Sequence, residues 1–144
     1  GPQKRRRFLD IAIGGLYPNY IEILRSYTRA VQQRNQIIKE SRYDGSLSVM
    51  LDVFETEIAD MGSKIIKYRT EYIKTLNNYV SRIYNSLSGG REEMLSVYVA
   101  NVCDIMLADE LKKARSVDIY TGTTSVGPHR DDIEFNINGN SARS

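Results

Sequence analysis

The only histidine of this sequence lies in a segment whose side chains could do chemistry. The six residues GPHRDD, at positions 127–132, combine an imidazole, a guanidinium group and two carboxylates. The candidates for a metal site or an acid–base set are His129, Asp131 and Asp132. Three neighbouring groups on one turn cannot surround a metal ion or form such a set without other parts of the chain, so we expect neither a metal site nor a catalytic site. A second interpretation is a rigid turn, in which Pro128 fixes one backbone angle, Gly127 permits an unusual one and an aspartate accepts backbone hydrogen bonds.

A run of cations near the start of the chain could bind phosphate groups. Residues 1–42 hold nine basic and three acidic residues, a balance of +6, whereas the other residues hold eleven basic and fifteen acidic ones. Such a run either forms a solvated face or meets phosphate, and charge alone does not decide between the two. The run is densest at Lys4, Arg5, Arg6 and Arg7, and it continues at Arg25, Arg29, Arg34 and Arg42.

Two helices with one apolar rhythm are expected to position these groups. From Pro18, residues of one face recur at intervals of three and four, at Ile21, Leu24, Thr28, Val31, Asn35 and Ile38. After a polar break at Asp44–Ser46 the rhythm resumes at Leu47 and continues to Leu87, before Gly89 and Gly90. At about 1.5 Å per residue the second helix would reach roughly 60 Å, so it needs a partner, and we expect a long antiparallel helical hairpin.

Four tyrosines in the apolar stripe of the second helix and its flank have two interpretations. They are Tyr68, Tyr72, Tyr79 and Tyr84. Exposed rings could stack on nucleic-acid bases, whereas rings in the apolar register would pack along the helix seam with their hydroxyl groups at its edge. Three of the four lie in that register, which favours packing.

The remainder of the sequence predicts a small sheet around a short helix. Leu95, Val97 and Val99 alternate with other residues as in a strand, and a helix is expected over 107–114, stopping near Gly122. Strands are then expected over 123–126 and 133–137, with Asn138-Gly139 as a hairpin turn. The predicted fold class is α+β and mainly α, a long antiparallel helical hairpin with a small terminal antiparallel sheet.

Composition excludes several protein classes. Hydrophobic residues make up 41% and charged residues 26% of the 144, as in one ordinary soluble domain. No stretch approaches the roughly 18 consecutive apolar residues that a membrane span needs, so no membrane association is expected. The single cysteine, Cys103, rules out a disulfide framework and favours a cytoplasmic setting, and we expect it to be a small core residue.

Two motifs give the sequence a recognisable pattern. The opening GPQKRRRFLD and the later GTTSVGPHRDDIEFNING resemble two stretches of the RecF family, bacterial recombination and repair ATPases related to SMC proteins and ABC-type ATPases. The resemblance extends over the helical region between them. It implies a lid inserted into an ATPase head, with residues 1–17 leading from head to lid, 18–90 forming the lid and 91–144 returning to the head. The sequence would then be a fragment of a longer chain.

The resemblance also implies partners and cofactors. A RecF-like protein would bind ATP with Mg²⁺, form an ATP-dependent homodimer and bind double-stranded, gapped or junction DNA. It would act with RecR and RecO in loading a recombinase in the bacterial cytoplasm. The DNA-binding candidates would be Lys4, Arg5, Arg6, Arg7, Arg25 and Arg29. The candidates for coupling the lid to the head would be Gly127, Pro128, His129, Arg130, Asp131 and Asp132.

The motifs of ATP hydrolysis are missing from these 144 residues. There is no GxxxxGK[ST] phosphate loop, no SxGQ signature and no apolar strand ending in paired acids. The chain by itself is therefore expected to bind no ATP and to have no enzymatic activity. An alternative function is a helical-hairpin adaptor that binds only a protein partner.

Overall fold

The computed structural model describes residues 1–89, 94–99, 101, 103–137 and 140–141. The helices are α1 (Pro2–Leu16), α2 (Pro18–Ser41), α3 (Ser48–Ser88), α4 (Leu107–Lys113) and α5 (Arg115–Thr121). The strands are β1 (Met94–Val99), β2 (Asp132–Ile137) and β3 (Asn140–Ser141). Short 3-10 turns cover Gly45–Leu47, Asp104–Met106 and Pro128–Arg130. The prediction of a mainly helical chain is confirmed.

Helix α1 is a finding that the sequence pattern did not predict. Leu9 and Ile13, one turn apart, are buried against the hairpin, whereas Phe8 and Ile11 are exposed. The helix ends at Leu16 because Tyr17 is extended, with φ −129° and ψ 98°, as the residue before a proline tends to be. Pro18 then opens α2 at the predicted position.

Helices α2 and α3 form the antiparallel hairpin. Tyr20, near the start of α2, contacts Arg69 of α3, whereas Arg34, nearer its end, contacts Glu55. Gly62 of α3 is buried, and a Cβ atom there would lie 2.6 Å from Leu107 and 3.2 Å from Tyr27. The absence of a side chain at Gly62 thus allows close packing, which brings α4 onto the hairpin.

Glycines end two helices where they were expected to. Gly89 follows α3 with φ 68°, and Gly122 follows α5 with φ 79°, both in the left-handed region that glycine adopts without a Cβ penalty. The single helix predicted before Gly122 is instead two helices that meet at Ala114.

The strands pair in an antiparallel manner. β1 pairs with β2 from Met94 opposite Ile137 to Val99 opposite Asp132, and β2 pairs with β3 at Asn136 opposite Ser141. The strand predicted over 123–126 is wrong, because Thr124 bonds to the side chain of Asn35 on α2 instead of to a neighbouring strand. The predicted turn at Asn138-Gly139 lies outside the described residues.

Two expectations about burial are also wrong. Cys103 is exposed because it lies in the segment before a 3-10 turn and not inside a strand. Tyr79 is 64% exposed, whereas Tyr68 packs against Tyr17 and Tyr20 with ring centroids 5.4 and 5.3 Å away. In the described part of the chain, none of the helices is both long enough and apolar enough to cross a membrane.

Candidate functional site

The GPHRDD segment forms a turn whose first residue must be glycine. Gly127 has φ 131° and ψ 173°, a conformation essentially restricted to glycine. A Cβ atom there would collide with the hydroxyl group of Tyr27 and lie 3.1 Å from the ring of His129. The side-chain oxygen of Asn101 accepts a hydrogen bond from the Gly127 amide at 3.0 Å. After one 3-10 turn the chain enters β2 at Asp132.

His129 joins this turn to the hairpin. Its Nε2 lies 2.8 Å from the Thr124 carbonyl oxygen, which can only accept, so Nε2 carries the proton. Its Nδ1 lies 2.6 Å from the Tyr27 hydroxyl group and accepts a hydrogen bond from it. Burial, together with the nearby cations Arg130, Arg6 and Arg69, lowers the pKa of His129 to about 4. The imidazole is therefore neutral and structural at physiological pH.

This assignment predicts the titration of the one histidine in the chain. In the folded protein its ring proton resonances should titrate with a midpoint near pH 4, and in urea near about pH 6.5. Between these values the unfolded chain binds a proton that the folded chain does not, so stability is complete above about pH 6.5 and declines as the pH falls towards 4. His129→Gln should remove that part of the decline, measured by urea denaturation at each pH. A folded-state midpoint near 6.5 would contradict the assignment.

Arg69 of α3 holds the same turn from the other side. Its Nη1 donates to the Pro128 carbonyl oxygen at 2.7 Å, and its Nε and Nη2 donate to the two Asp10 oxygens at 3.0 and 2.9 Å. Tyr20 also donates to Asp10. Arg69 is only 2% exposed, so this ion pair is shielded from water. Sequence reasoning missed Arg69, although its position midway between the buried Ile65 and Ile73 indicates the inner face of the helix.

Two of the predicted basic residues also bind this turn. Arg5 donates to both Asp132 oxygens, at 2.8 and 3.1 Å, and Arg6 donates to the Asp131 carbonyl oxygen at 3.0 Å. The Asp131 carboxylate accepts from the Asn101 amide at 2.5 Å. The structure thus brings the two predicted sites together. His129, Asp131 and Asp132 bond to different partners, and the described residues contain no group of three metal-binding side chains.

The other predicted cations lie in two different environments, the protein surface and the buried core. Lys4, Arg7, Arg25 and Arg29 are exposed, and Arg25 pairs with Glu22 at 3.1 Å on the surface. Arg130 is exposed on the turn itself, where its Nε donates to the Thr124 carbonyl oxygen at 3.3 Å. Arg34, by contrast, is completely buried and does not belong to a charged surface. The basic surface is therefore the set Lys4, Arg7, Arg25 and Arg29.

Arg34 is the centre of a buried ionic cluster that sequence reasoning also missed. It donates to Glu55 at 3.2 Å, to Asp118 at 2.7 Å, to the Thr124 hydroxyl group at 3.0 Å and to the Leu111 carbonyl oxygen at 3.1 Å. Arg115 adds a second cation to Glu55. The cluster joins α2, α3, α4 and α5, and it fixes the segment that leads into the turn.

Comparison with known proteins gives one consistent result. No family model matches the chain. It is 38% identical over 139 residues to the DNA replication and repair protein RecF of Agathobacter rectalis, covering 96% of this chain and 38% of the relative. It is 37% identical over 143 residues to the RecF of Lachnoclostridium phytofermentans, covering 99% of this chain and 40% of the relative. The chain thus spans about two fifths of the length of these relatives.

Solved structures agree with the curated relatives. The recombination mediator protein RecF-ATP in the RecFOR pathway matches with a TM-score of 0.92 and 30% identity, over 99% of this chain and 40% of that one. RecF-ATPrS in the same pathway matches with a TM-score of 0.91 and 29% identity, over 99% and 41%. The sequence resemblance and the fold point to the same proteins. The chain is therefore similar to RecF proteins over nearly its whole length, and it spans about two fifths of theirs.

Proposed function

We propose that the chain is the lid and an adjoining part of the head of a RecF-like ATPase that acts in recombinational DNA repair. Residues 1–17 lead from head to lid, 18–90 form the lid and 91–144 return to the head. The observation that carries this proposal is the fold match over 99% of the chain to RecF-ATP of the RecFOR pathway. A bacterial cytoplasmic location, with RecR and RecO as partners, follows from the same relationship.

ATP is assigned to the longer protein and not to these residues alone. None of the sequence motifs that cradle phosphates is present in the 144 residues. ATP with Mg²⁺, hydrolysis and the ATP-dependent homodimer then depend on the remaining length of a RecF protein. The role of these 144 residues is then to hold the lid against the head.

The turn at 127–132 provides that connection. Helix α1 holds it through Arg5 and Arg6, α2 through Tyr27 and α3 through Arg69. Because β2 begins at Asp132, a movement of the helical hairpin is passed to the strand without an intervening loop. His129 and Arg130 would in this way couple the position of the lid to the state of the head.

DNA phosphates are assigned to the basic surface. Lys4, Arg7 and Arg29 are exposed, and no ion pair joins them to a carboxylate in the described part of the chain. Arg5 and Arg6 are half-buried and hydrogen-bonded to the turn. They therefore contribute to the positive electrostatic potential more than to direct contacts with phosphate. The proposal divides the basic run into two holding residues and a set of phosphate-facing ones.

Removing two phosphate-facing cations is expected to change the salt dependence of DNA binding. Each neutralised phosphate contributes about 0.9 to the slope of log affinity against log salt, so Arg7→Ala with Arg29→Ala should flatten the slope by about 1.8. Fluorescence anisotropy with a duplex across a range of NaCl concentrations measures it. Lys67→Ala with Lys74→Ala, which removes two exposed cations of α3, is the matched control.

An unchanged slope in the first double variant would contradict the DNA assignment. It would support the second candidate, an adaptor that binds only protein. The observation that favours an adaptor is the exposed apolar surface of α1, where Phe8 is 73% and Ile11 66% exposed.

A further inference from the structure

A large groove lies between α1 and α2. The two helices meet at Tyr17 and diverge from it, and they enclose a volume of about 660 Å³. Its walls carry Ile11 and Gly15 from α1 and Ile21, Leu24 and Val31 from α2. Its floor is made by Tyr27, Ile65, Arg69, Pro128 and His129. A volume in the range of about 300–1,000 Å³ suits a ligand or a few side chains of a partner.

The apolar wall continues out of the groove onto the surface. Ile11 is 66% and Ile21 40% exposed, and Phe8, one helical turn from Ile11, is 73% exposed. Leu16 and Tyr17 add exposed apolar area at the corner between the helices. An apolar surface that runs from a groove onto a neighbouring face fits an amphipathic peptide segment better than an enclosed small molecule.

The rim of the groove is positively charged. Arg6 and Arg7 line it on the α1 side. On the α2 side it continues into a second depression of about 360 Å³ that shares Leu24, Thr28 and Gln32 and adds Arg25 and Arg29. The one acid in the lining, Asp10, is already bonded to Arg69 and Tyr20. The rim therefore carries an excess of positive charge.

We propose that this groove docks an amphipathic acidic segment of a partner protein. Apolar side chains at helical spacing enter between Ile11 and Leu24, and aspartates or glutamates of the same segment meet Arg7 and Arg29. The phosphates of a nucleic acid could pair with the cations of the rim but would not fit against the apolar walls, because a phosphate buried there loses its hydration at a large free-energy cost. The segment shares Arg7 and Arg29 with the DNA surface of the proposed function, so segment and DNA compete.

A helical peptide tests the proposal directly. The probe is a fluorescein-labelled designed peptide with leucine or phenylalanine on one face and glutamates beside it, together with two controls in which the apolar residues become serine or the glutamates become lysine. The 144-residue chain should bind the first peptide and neither control. Duplex DNA should displace it as the two compete for the rim.

Variants of the chain separate the walls from the rim. Gly15 lines the groove, and a Cβ atom there meets nothing within 4 Å, so the backbone accepts a side chain and we expect the ring of Gly15→Phe to occupy part of the groove. This variant should raise the Kd for the peptide at least about tenfold and leave DNA binding unchanged. Arg7→Glu with Arg29→Glu should weaken both, and Lys67→Glu with Lys74→Glu should weaken the peptide less than about twofold.

Three results would overturn the proposal. In the first, the peptide does not bind, or Gly15→Phe leaves its affinity unchanged. In the second, Gly15→Phe weakens DNA as much as peptide, which makes the groove part of the DNA surface. In the third, the peptide binds the 144 residues but not a full-length RecF protein that contains them, which makes the groove an internal contact. Failure of the DNA assignment is distinguished from failure of the groove proposal by the slope of log DNA affinity against log salt concentration, which the peptide experiment does not use.

Discussion

Replacing Arg34 by methionine is expected to lower the free energy of unfolding by about 3–5 kcal/mol, the cost of breaking a buried ion pair from one side. Arg34 and Asp118 have side chains with 0% exposure, and Glu55 has 2%. Without the guanidinium group, the carboxylate of Asp118 loses its cationic partner in the interior of the protein. The loss is a large fraction of the roughly 5–15 kcal/mol that stabilises a domain.

Urea denaturation followed by circular dichroism measures the effect. Arg25→Met is the matched control, since Arg25 lies on the same helix and its ion pair with Glu22 has side chains 69% and 73% exposed. An exposed pair of this kind contributes about 0–1 kcal/mol. Equal losses in the two variants would show that the cluster does not hold the helices together. Replacing Arg34, Glu55 and Asp118 together by apolar residues should recover part of the loss.

Gly127→Ala is expected to destabilise the chain by about 3 kcal/mol, from a disallowed backbone conformation together with a lost hydrogen bond. The backbone at Gly127 has φ 131°, and the added methyl group collides with the Tyr27 hydroxyl group. Relief of that collision breaks the hydrogen bond between Tyr27 and His129. The damage should therefore appear at the turn, with the His129 midpoint moving up from about 4 towards its ordinary value.

A double-mutant cycle separates the two causes. In a Tyr27→Phe background the collision is relieved, so Gly127→Ala should cost less than in the original chain, while the backbone contribution persists. Gly45→Ala is the control, since Gly45 lacks a positive φ and a Cβ atom there has nothing within 4 Å. It should change stability by less than about 0.5 kcal/mol, as surface substitutions do. Equal costs in both backgrounds would exclude the steric contribution of Tyr27.

The hairpin could be predicted because its signals are local. The apolar spacing of α2 and α3, the proline at 18 and the glycine at 89 each act within a few residues of where they stand. Helix α1 escaped prediction because only Leu9 and Ile13 face the core, while Phe8 and Ile11 are equally apolar and lie outside. A sequence pattern cannot separate apolar residues that face the core from apolar residues that face a groove.

The candidate site could be predicted as a turn but not as a junction. The residue types of Gly127 and Pro128 predict a turn. Tyr27 and Arg69, which hold that turn, are separated from their partners by 102 and 59 residues. Arginines give the least information of all. Arg34 within the core, Arg5 on the turn and Arg29 on the surface look alike in sequence, and only the carboxylates brought near by the fold distinguish them.

The ion pair between Arg5 and Asp132 has a topological consequence. It joins residues 127 apart, so the chain leaves the neighbourhood of α1, runs out along α2, returns along α3 and arrives where it started. Such a path is the geometry of an insertion, in which both connections to a host domain leave from one place. Insertions or deletions at the far end of the hairpin, residues 44–47, would leave the separation of the two connections unchanged. For the proposed lid, the length of the hairpin is therefore independent of its attachment to the head.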